Sequence, residues 1–183
     1  MGAFQSLVPA SVFVEWRART GFKVRDMQGL LECGSMCCDL HHVHLQECYF
    51  NETGSRHVCQ FSAPDADSVR TALRAVEVRA DSIWAGTVYN RRTQSSGNVL
   101  IERTLNRHEC KNMDAMLDYL EKDWEARYGF QLARAIVSLD NTRAIFLCHA
   151  IDREAIDRAA AQMGREGTTV WPYRLLTGVA GWS

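Results

Sequence analysis

Apolar residues along this chain recur with two different periods, and the switches between them lay out the elements. Residues 12–18 (VFVEWRA) are β-branched and aromatic and read as a strand. From Met27 to His42 the positions Met27, Leu30, Leu31, Gly34 and Cys38 fall at helical spacing. Gly34 costs that helix about 1 kcal/mol relative to alanine. Residues 43–50 read as a second strand, and the turn at 51–55 leads into a third at 57–63, making a hairpin. Asp65 or Asp67 caps a helix over 66–77, whose inner stripe is Val69, Ala72, Leu73 and Val76. A fourth strand follows at 82–89. The polar run from Asn90 to Asn98 has no periodicity and reads as a linker. The order then restarts with a strand at 99–105 and a helix at about 112–128 carrying Met113, Met116, Leu117, Leu120 and Trp124. Strands at 130–138 and 143–151, a helix at 153–163 and a strand at 169–176 complete it.

The restart has a fixed offset. Stepping 87 positions on, Arg56 meets Arg143, Asp65 meets Asp152, Val69 meets Ile156, Glu15 meets Glu102 and Trp84 meets Trp171. Apolar and special positions answering each other at one offset point to a tandem duplication. The expected organisation is a repeat over 1–90, a linker over 91–98 and a second repeat over 99–183. Each repeat has the order β-α-β-β-α-β, the ferredoxin-like order. Such a unit leaves one sheet face bare, and a second copy covers it. The expected fold is therefore α+β, two ferredoxin-like repeats packed sheet to sheet as a fused dimeric α+β barrel. Its natural pocket is the space between the sheets or its mouth.

Composition narrows the function classes. Apolar residues make up 46% of the 183 residues, as in an ordinary globular protein. A net charge of -1 supplies no basic field for nucleic acid or an anionic membrane. No apolar run approaches the roughly 20 residues that span a bilayer, and the N-terminus lacks the basic and apolar regions of a secretory signal. Seven cysteines, five of them before residue 60, then read as reduced thiols in a cytoplasmic protein. A monomer or homodimer is expected. There is no Gly-rich phosphate loop, no G-x-S-x-G elbow, no H-E-x-x-H and no paired C-x-x-C, so no nucleotide cofactor is expected.

Two constellations carry chemistry. The first is ECGSMCCDLHHVHLQEC at 32–48. Cys33, Cys37 and His41 lie at i, i+4 and i+8 on one helical edge, with His42 beside them. Counting by two, His44 and Cys48 share a face of the next strand. Thiolate and imidazole suit nickel, zinc or copper. The alternatives are core cysteines with a histidine pair ending the helix, and a catalytic or redox thiol. The second is the pocket. Glu15 and Glu102 occupy equivalent places in the two first strands and, facing each other, would raise each other's pKa as a general acid or base. Otherwise each pairs with Arg17 or Arg103. His149, which replaces Ser62, joins them, and Trp84, Trp171, Tyr49, Cys59, His57 and Tyr173 shape the walls.

The stretch CYFNETGSRHVCQFSAPDADSVRTALRAVEVRADSIWAGTVY, with Tyr49, Cys59, Ala63, Pro64 and Asp65, resembles a family of small ferredoxin-like domains of unknown function that includes an actinobacterial nickel-binding protein. Ile101-Glu102-Arg103-Thr104 resembles its first strand, and Trp84 and Trp171 fit its last. The nickel-binding branch uses histidines in the first strand and second helix. Here Glu15 and Glu102 stand in the strands, and 66–77 and 153–163 hold no histidine, so that metal site is not carried over. Two functions are expected from this reading. One is a metal-binding protein using Cys33, Cys37, His41, His42 and His44. The other is a small-molecule enzyme, a cofactor-free cyclase, isomerase or oxygenase, with its ligand between the sheets.

Overall fold

The computed structural model describes residues 9–17, 39–92, 97–106 and 112–177. These residues form a mixed α+β fold of antiparallel strands and three helices. The strands are β1 (Ala10–Arg17), β2 (His44–Phe50), β3 (Arg56–Ala63), β4 (Ser82–Asn90), β5 (Val99–Thr104), β6 (Gln131–Ser138), β7 (Arg143–His149), β8 (Thr169–Pro172) and β9 (Arg174–Thr177). The helices are α1 (Ala66–Ala75), α2 (Met113–Tyr128) and α3 (Arg153–Met163). Among the described residues no helix is long and apolar enough to cross a membrane.

The chain divides into two compact units. One takes in the described residues of Met1–Ala85 and Leu175–Ser183, the other Gly86–Arg174. In the first unit the strand order is β4-β1-β3-β2-β9, and in the second β8-β5-β7-β6-β4, with β4 contributing Ser82–Ala85 to one and Gly86–Asn90 to the other. Setting aside β9 and the second half of β4, the orders 4-1-3-2 and 8-5-7-6 are the same order. The registers repeat as well. Val12 pairs with Phe61 and Val99 with Cys148, and Glu15 pairs with Val58 and Glu102 with Ile145. A bulge falls between Leu45 and Glu47 in β2 and between Leu132 and Arg134 in β6.

Local chemistry explains the helix ends. Asp65 accepts from the Ser68 backbone N–H, Asn112 from that of Ala115, and Asp152 from that of Ala155, each satisfying a donor the helix leaves free. Gly129 ends α2 at φ 69°, in the left-handed region that glycine enters without steric cost. The stripe of α2 is buried at Leu117, Leu120, Trp124 and Tyr128, against Val99, Ile101, Ala135 and Phe146. In the first unit Val69, Ala72 and Leu73 of α1 bury against Val12, Val14, Cys59 and Phe61. A fully buried Leu or Phe side chain contributes about 1.5–3 kcal/mol, so these stripes anchor the helices to their sheets.

Three sequence expectations end differently. Of the helix over Met27–His42, all but the last turn lies outside the described residues; Asp39 and Leu40 are helical, and the His42 backbone N–H donates to the Asp39 carbonyl at 3.1 Å as the chain turns at φ 54°. The last strand, expected as one piece over 169–176, is two: Thr169–Pro172 pairs with β5, Tyr173 extends that register by donating its N–H to the Asn98 carbonyl at 3.0 Å, and Arg174–Thr177 lies beside β2 instead. The third concerns thiols. Cys48 and Cys59, expected reduced, are joined by a disulfide. The register sets them directly opposite on β2 and β3, with a Cα–Cα separation of 4.0 Å.

Candidate functional site

Side chains alternate across a strand, so each sheet has a face against its helices and a face away from them. On the first sheet, Val12, Val14, Cys48, Cys59 and Phe61 belong to the core under α1. The alternate positions form the other face, in cross-strand rows. Tyr49, Val58 and Glu15 make one row, and Glu47, Gln60 and Phe13 the next. His44, Ser62 and Ser11 make a third. Burial deepens from the exposed His44, through the partly buried Glu47 and Gln60, to Tyr49 at 1% exposure.

Polar groups on this face are tied to one another. The Tyr49 hydroxyl donates to Glu47 Oε2. Gln60 Nε2 donates to the Ser11 hydroxyl at 3.5 Å, and its buried Oε1 accepts no hydrogen bond among the described residues. Trp84 Nε1 donates to Glu15 Oε1 at 2.6 Å, and the Trp84 indole stacks on Phe13 with ring centroids 4.8 Å apart. Carboxylates, an amide, a phenol and flat apolar rings on one face are the components of a small-molecule site, in which few polar groups orient a ligand against apolar walls.

The second sheet carries the counterpart of only part of this. Trp171 Nε1 donates to Glu102 Oε1 at 2.7 Å, reproducing the Trp84–Glu15 pair. In place of Tyr49, Glu47 and Gln60 stand Ile136, Arg134 and Leu147, in the same registers. Leu100, Ile136, Ile145 and Leu147 are all at most 2% exposed. Around its Trp–Glu pair this face is largely apolar, with Arg134 in the place of Glu47 and the exposed His149 at its end.

The residues expected to form one site fall on two faces of the first sheet and in both units. Glu15, Trp84 and Tyr49 share the face away from α1. His57 and Cys59, expected among the same walls, lie on the α1 side by alternation, where Cys59 bonds Cys48 and His57 stacks on Phe50. Burial holds the His57 imidazole below its ordinary pKa. In the second unit, Glu102 and Trp171 form their pair, and His149 lies exposed at the end of β7. Tyr173 is buried beside Gly97, where an added Cβ would come within 2.6 Å of both the Tyr173 hydroxyl and the Cys148 carbonyl.

For the metal set, Cys33 and Cys37 lie outside the described residues. His41 and His42 occupy the turn before β2, and His44 begins it. Among the described residues no three His, Cys, Asp or Glu side chains converge as a metal site. His44 and Cys48, expected on one face, are on opposite faces, because the bulge at Gln46 inserts a residue and reverses the alternation. The sequence reading missed Glu47 and Gln60. Their signal was present: a polar residue in the first repeat opposite Arg134 or Leu147 in the second.

No family model matches the chain, the nickel-binding family of the sequence resemblance included. No curated protein matches it in sequence. Among solved structures it is similar to an anthrone oxidase-like protein, at 8% identity and a TM-score of 0.50, covering 96% of this chain and 95% of that one. It is also similar to a monooxygenase-like protein from Listeria innocua, at 7% identity and a TM-score of 0.44, covering 92% and 96%. At such identities the likeness is one of fold, and these neighbours are of the dimeric α+β barrel type.

Proposed function

We propose that the protein is a small-molecule enzyme that works from the face of its first sheet turned away from α1. Its reaction begins with proton abstraction from a carbon beside a carbonyl. Glu47 is the general base; as it takes up the proton, the Tyr49 hydroxyl that donates to it turns to the oxyanion developing on the carbonyl oxygen, and Gln60 Oε1 accepts a hydrogen bond that orients the substrate. Glu15, held by the Trp84 indole, supplies a second carboxylate one row away. Phe13 and Trp84 offer a flat apolar wall. Enolisation is the first step of keto–enol isomerases and of aldol-type cyclases, and the carbanion it leaves is what a cofactor-free oxygenase hands to O₂.

The observation that carries this reading is a difference between the two sheets at three adjacent positions. Tyr49, Glu47 and Gln60 are adjacent on one face, and the other sheet replaces them with Ile136, Arg134 and Leu147. A tandem duplication, supported by the common strand order and registers, gives that difference its meaning: one copy keeps the chemistry while the other keeps the scaffold.

Anthrone, the compound in the fold neighbour's name, is a suitable first probe because the carbonyl across its central ring acidifies the ring CH₂ through the conjugated benzo rings, a vinylogous form of the same enolisation. The test is deuterium uptake at that carbon from D₂O, followed by NMR, for anthrone and a panel of cyclic aromatic ketones. Exchange above the buffer rate, lost in Glu47→Gln, supports the proposal. Exchange at the buffer rate across the panel, or exchange indifferent to Glu47→Gln, contradicts it. The metal reading has its own test, elemental analysis of untagged protein for nickel, zinc and copper.

A further inference from the structure

We infer that the Cys48–Cys59 disulfide is a reversible redox staple that fixes the positions of Glu47, Tyr49 and Gln60. Cys48 lies between Glu47 and Tyr49 on β2, and Cys59 lies between Val58 and Gln60 on β3. Because alternate side chains point oppositely, the bond sits on the α1 side directly behind those three polar groups. The second unit has neither the three groups nor the bond. At the matching positions it carries Ala135 and Phe146, which oppose each other in the same register. The staple and the polar face occur together in one unit and are absent together from the other.

The chemistry follows from packing. Bonded sulfurs sit about 2 Å apart, whereas two thiols must withdraw to van der Waals distance. Cys48 and Cys59 are at most 1% exposed, in a core with Phe61, Val69 and Leu73, so that withdrawal moves the strands that carry them. A dithiol reductant supplies the two electrons. Its thiolate attacks one sulfur and breaks the S–S bond, leaving a mixed disulfide and one cysteine thiolate. Its second thiol then displaces the other cysteine, and the reductant ends as a cyclic disulfide. Two protons complete the pair of thiols. Both sulfurs are buried, so attack awaits local opening of the β2–β3 hairpin, and the switch responds slowly. Cys148, the free cysteine among the described residues, sits apart from this exchange, because burial, with a contribution from Glu121, raises its thiol pKa well above the ordinary range.

This regulation rests on reading that face as functional, but the experiment reads the staple by itself. Full-length protein is purified without reductant, treated with the thiol oxidant diamide, alkylated while unfolded, digested and mapped. A linked Cys48–Cys59 peptide is expected, replaced after dithiothreitol by two alkylated peptides. Hydrogen exchange is then compared between the oxidised and reduced forms. Reduction is expected to raise exchange at least tenfold over residues 44–50 and 56–63, leave 131–138 and 143–149 unchanged, and lower Tm by on the order of 5 °C. The Cys48→Ala/Cys59→Ala double variant should match the reduced form and ignore dithiothreitol. Full alkylation of both cysteines after diamide overturns the inference, and so does equal exchange over 44–63 in the two forms. Neither readout uses substrate, so a failure of the catalytic reading leaves the redox result intact.

Discussion

The sheet face away from α1 and the sheet face away from α2 and α3 begin from the same plan. Each presents a glutamate from its first strand to a tryptophan indole from its last, Glu15 to Trp84 and Glu102 to Trp171. Among the places where they part are three neighbouring positions, where Tyr49, Glu47 and Gln60 on one correspond to Ile136, Arg134 and Leu147 on the other. What the two share is what the fold needs. An indole N–H bonded to a carboxylate joins the first and last strands wherever the plan occurs, so the shared pair reads as architecture. What differs is what the fold can do without, because the second sheet is well packed with an isoleucine and a leucine there. Polar groups that packing does not require are the ones to examine for chemistry.

Copying the second face onto the first is the strongest way to break the comparison. The triple variant Tyr49→Ile, Glu47→Arg, Gln60→Leu should fold and lose at least 100-fold in the ketone deuterium-exchange rate. A triple variant that keeps its rate ends the catalytic reading. Next in size are the shared pairs. Glu15→Ala and Glu102→Ala each remove the acceptor of an indole, and each should cost about 1–3 kcal/mol in urea denaturation. Similar losses confirm a common architectural role, whereas a neutral Glu102→Ala beside a costly Glu15→Ala would break the symmetry.

Acid separates the units further. His57 is buried on the α1 side of the first sheet, and the equivalent residue in the second is Ala144. Burial lowers the His57 pKa from 6.5, so the unfolded chain binds the proton more readily. Its contribution to stability is therefore complete above pH 6.5 and is lost as pH falls toward the folded value, by at most about 1.4 kcal/mol per pH unit. In His57→Ala, stability measured between pH 7 and pH 5 should fall less steeply than in the parent. The smallest effect is a control that should not distinguish the units. Asp65→Ala and Asp152→Ala remove equivalent helix caps and should lower the urea midpoint at pH 7 by similar, small amounts. The Ser68 backbone and side chain, bonded to Asp65, hold that carboxyl below its ordinary pKa, so its cap should weaken only in strong acid.

Much of the fold was legible because periodicity reports burial directly. Val69, Ala72 and Leu73 announce α1, Leu117, Leu120 and Trp124 announce α2, and the Asp65 and Asp152 caps mark where helices begin. Three features were out of reach for physical reasons. The bulge at Gln46 depends on backbone pairing, so counting by two placed His44 with Cys48 when they face opposite ways. The last strand divides because its two pieces have different partners, Thr169–Pro172 beside β5 and Arg174–Thr177 beside β2, which local propensity does not encode. The disulfide depends on register, which sets Cys48 opposite Cys59 only once the 51–55 turn is fixed. Glu15 and Trp84 were each singled out, but their direct hydrogen bond is a tertiary fact. Glu47 and Gln60 went unnoticed because agreement across the 87-residue offset marks scaffold, and these residues differ across it from Arg134 and Leu147.

One paired measurement bears on the central claim most directly. Glu47→Gln and Arg134→Gln place the same residue at equivalent positions of the two faces, and each variant's deuterium-exchange rate is compared with the parent's under identical conditions. A loss of at least 100-fold for Glu47→Gln, with Arg134→Gln within twofold of the parent, is the predicted result. Equal effects at the two positions, or a larger one at Arg134, would contradict it.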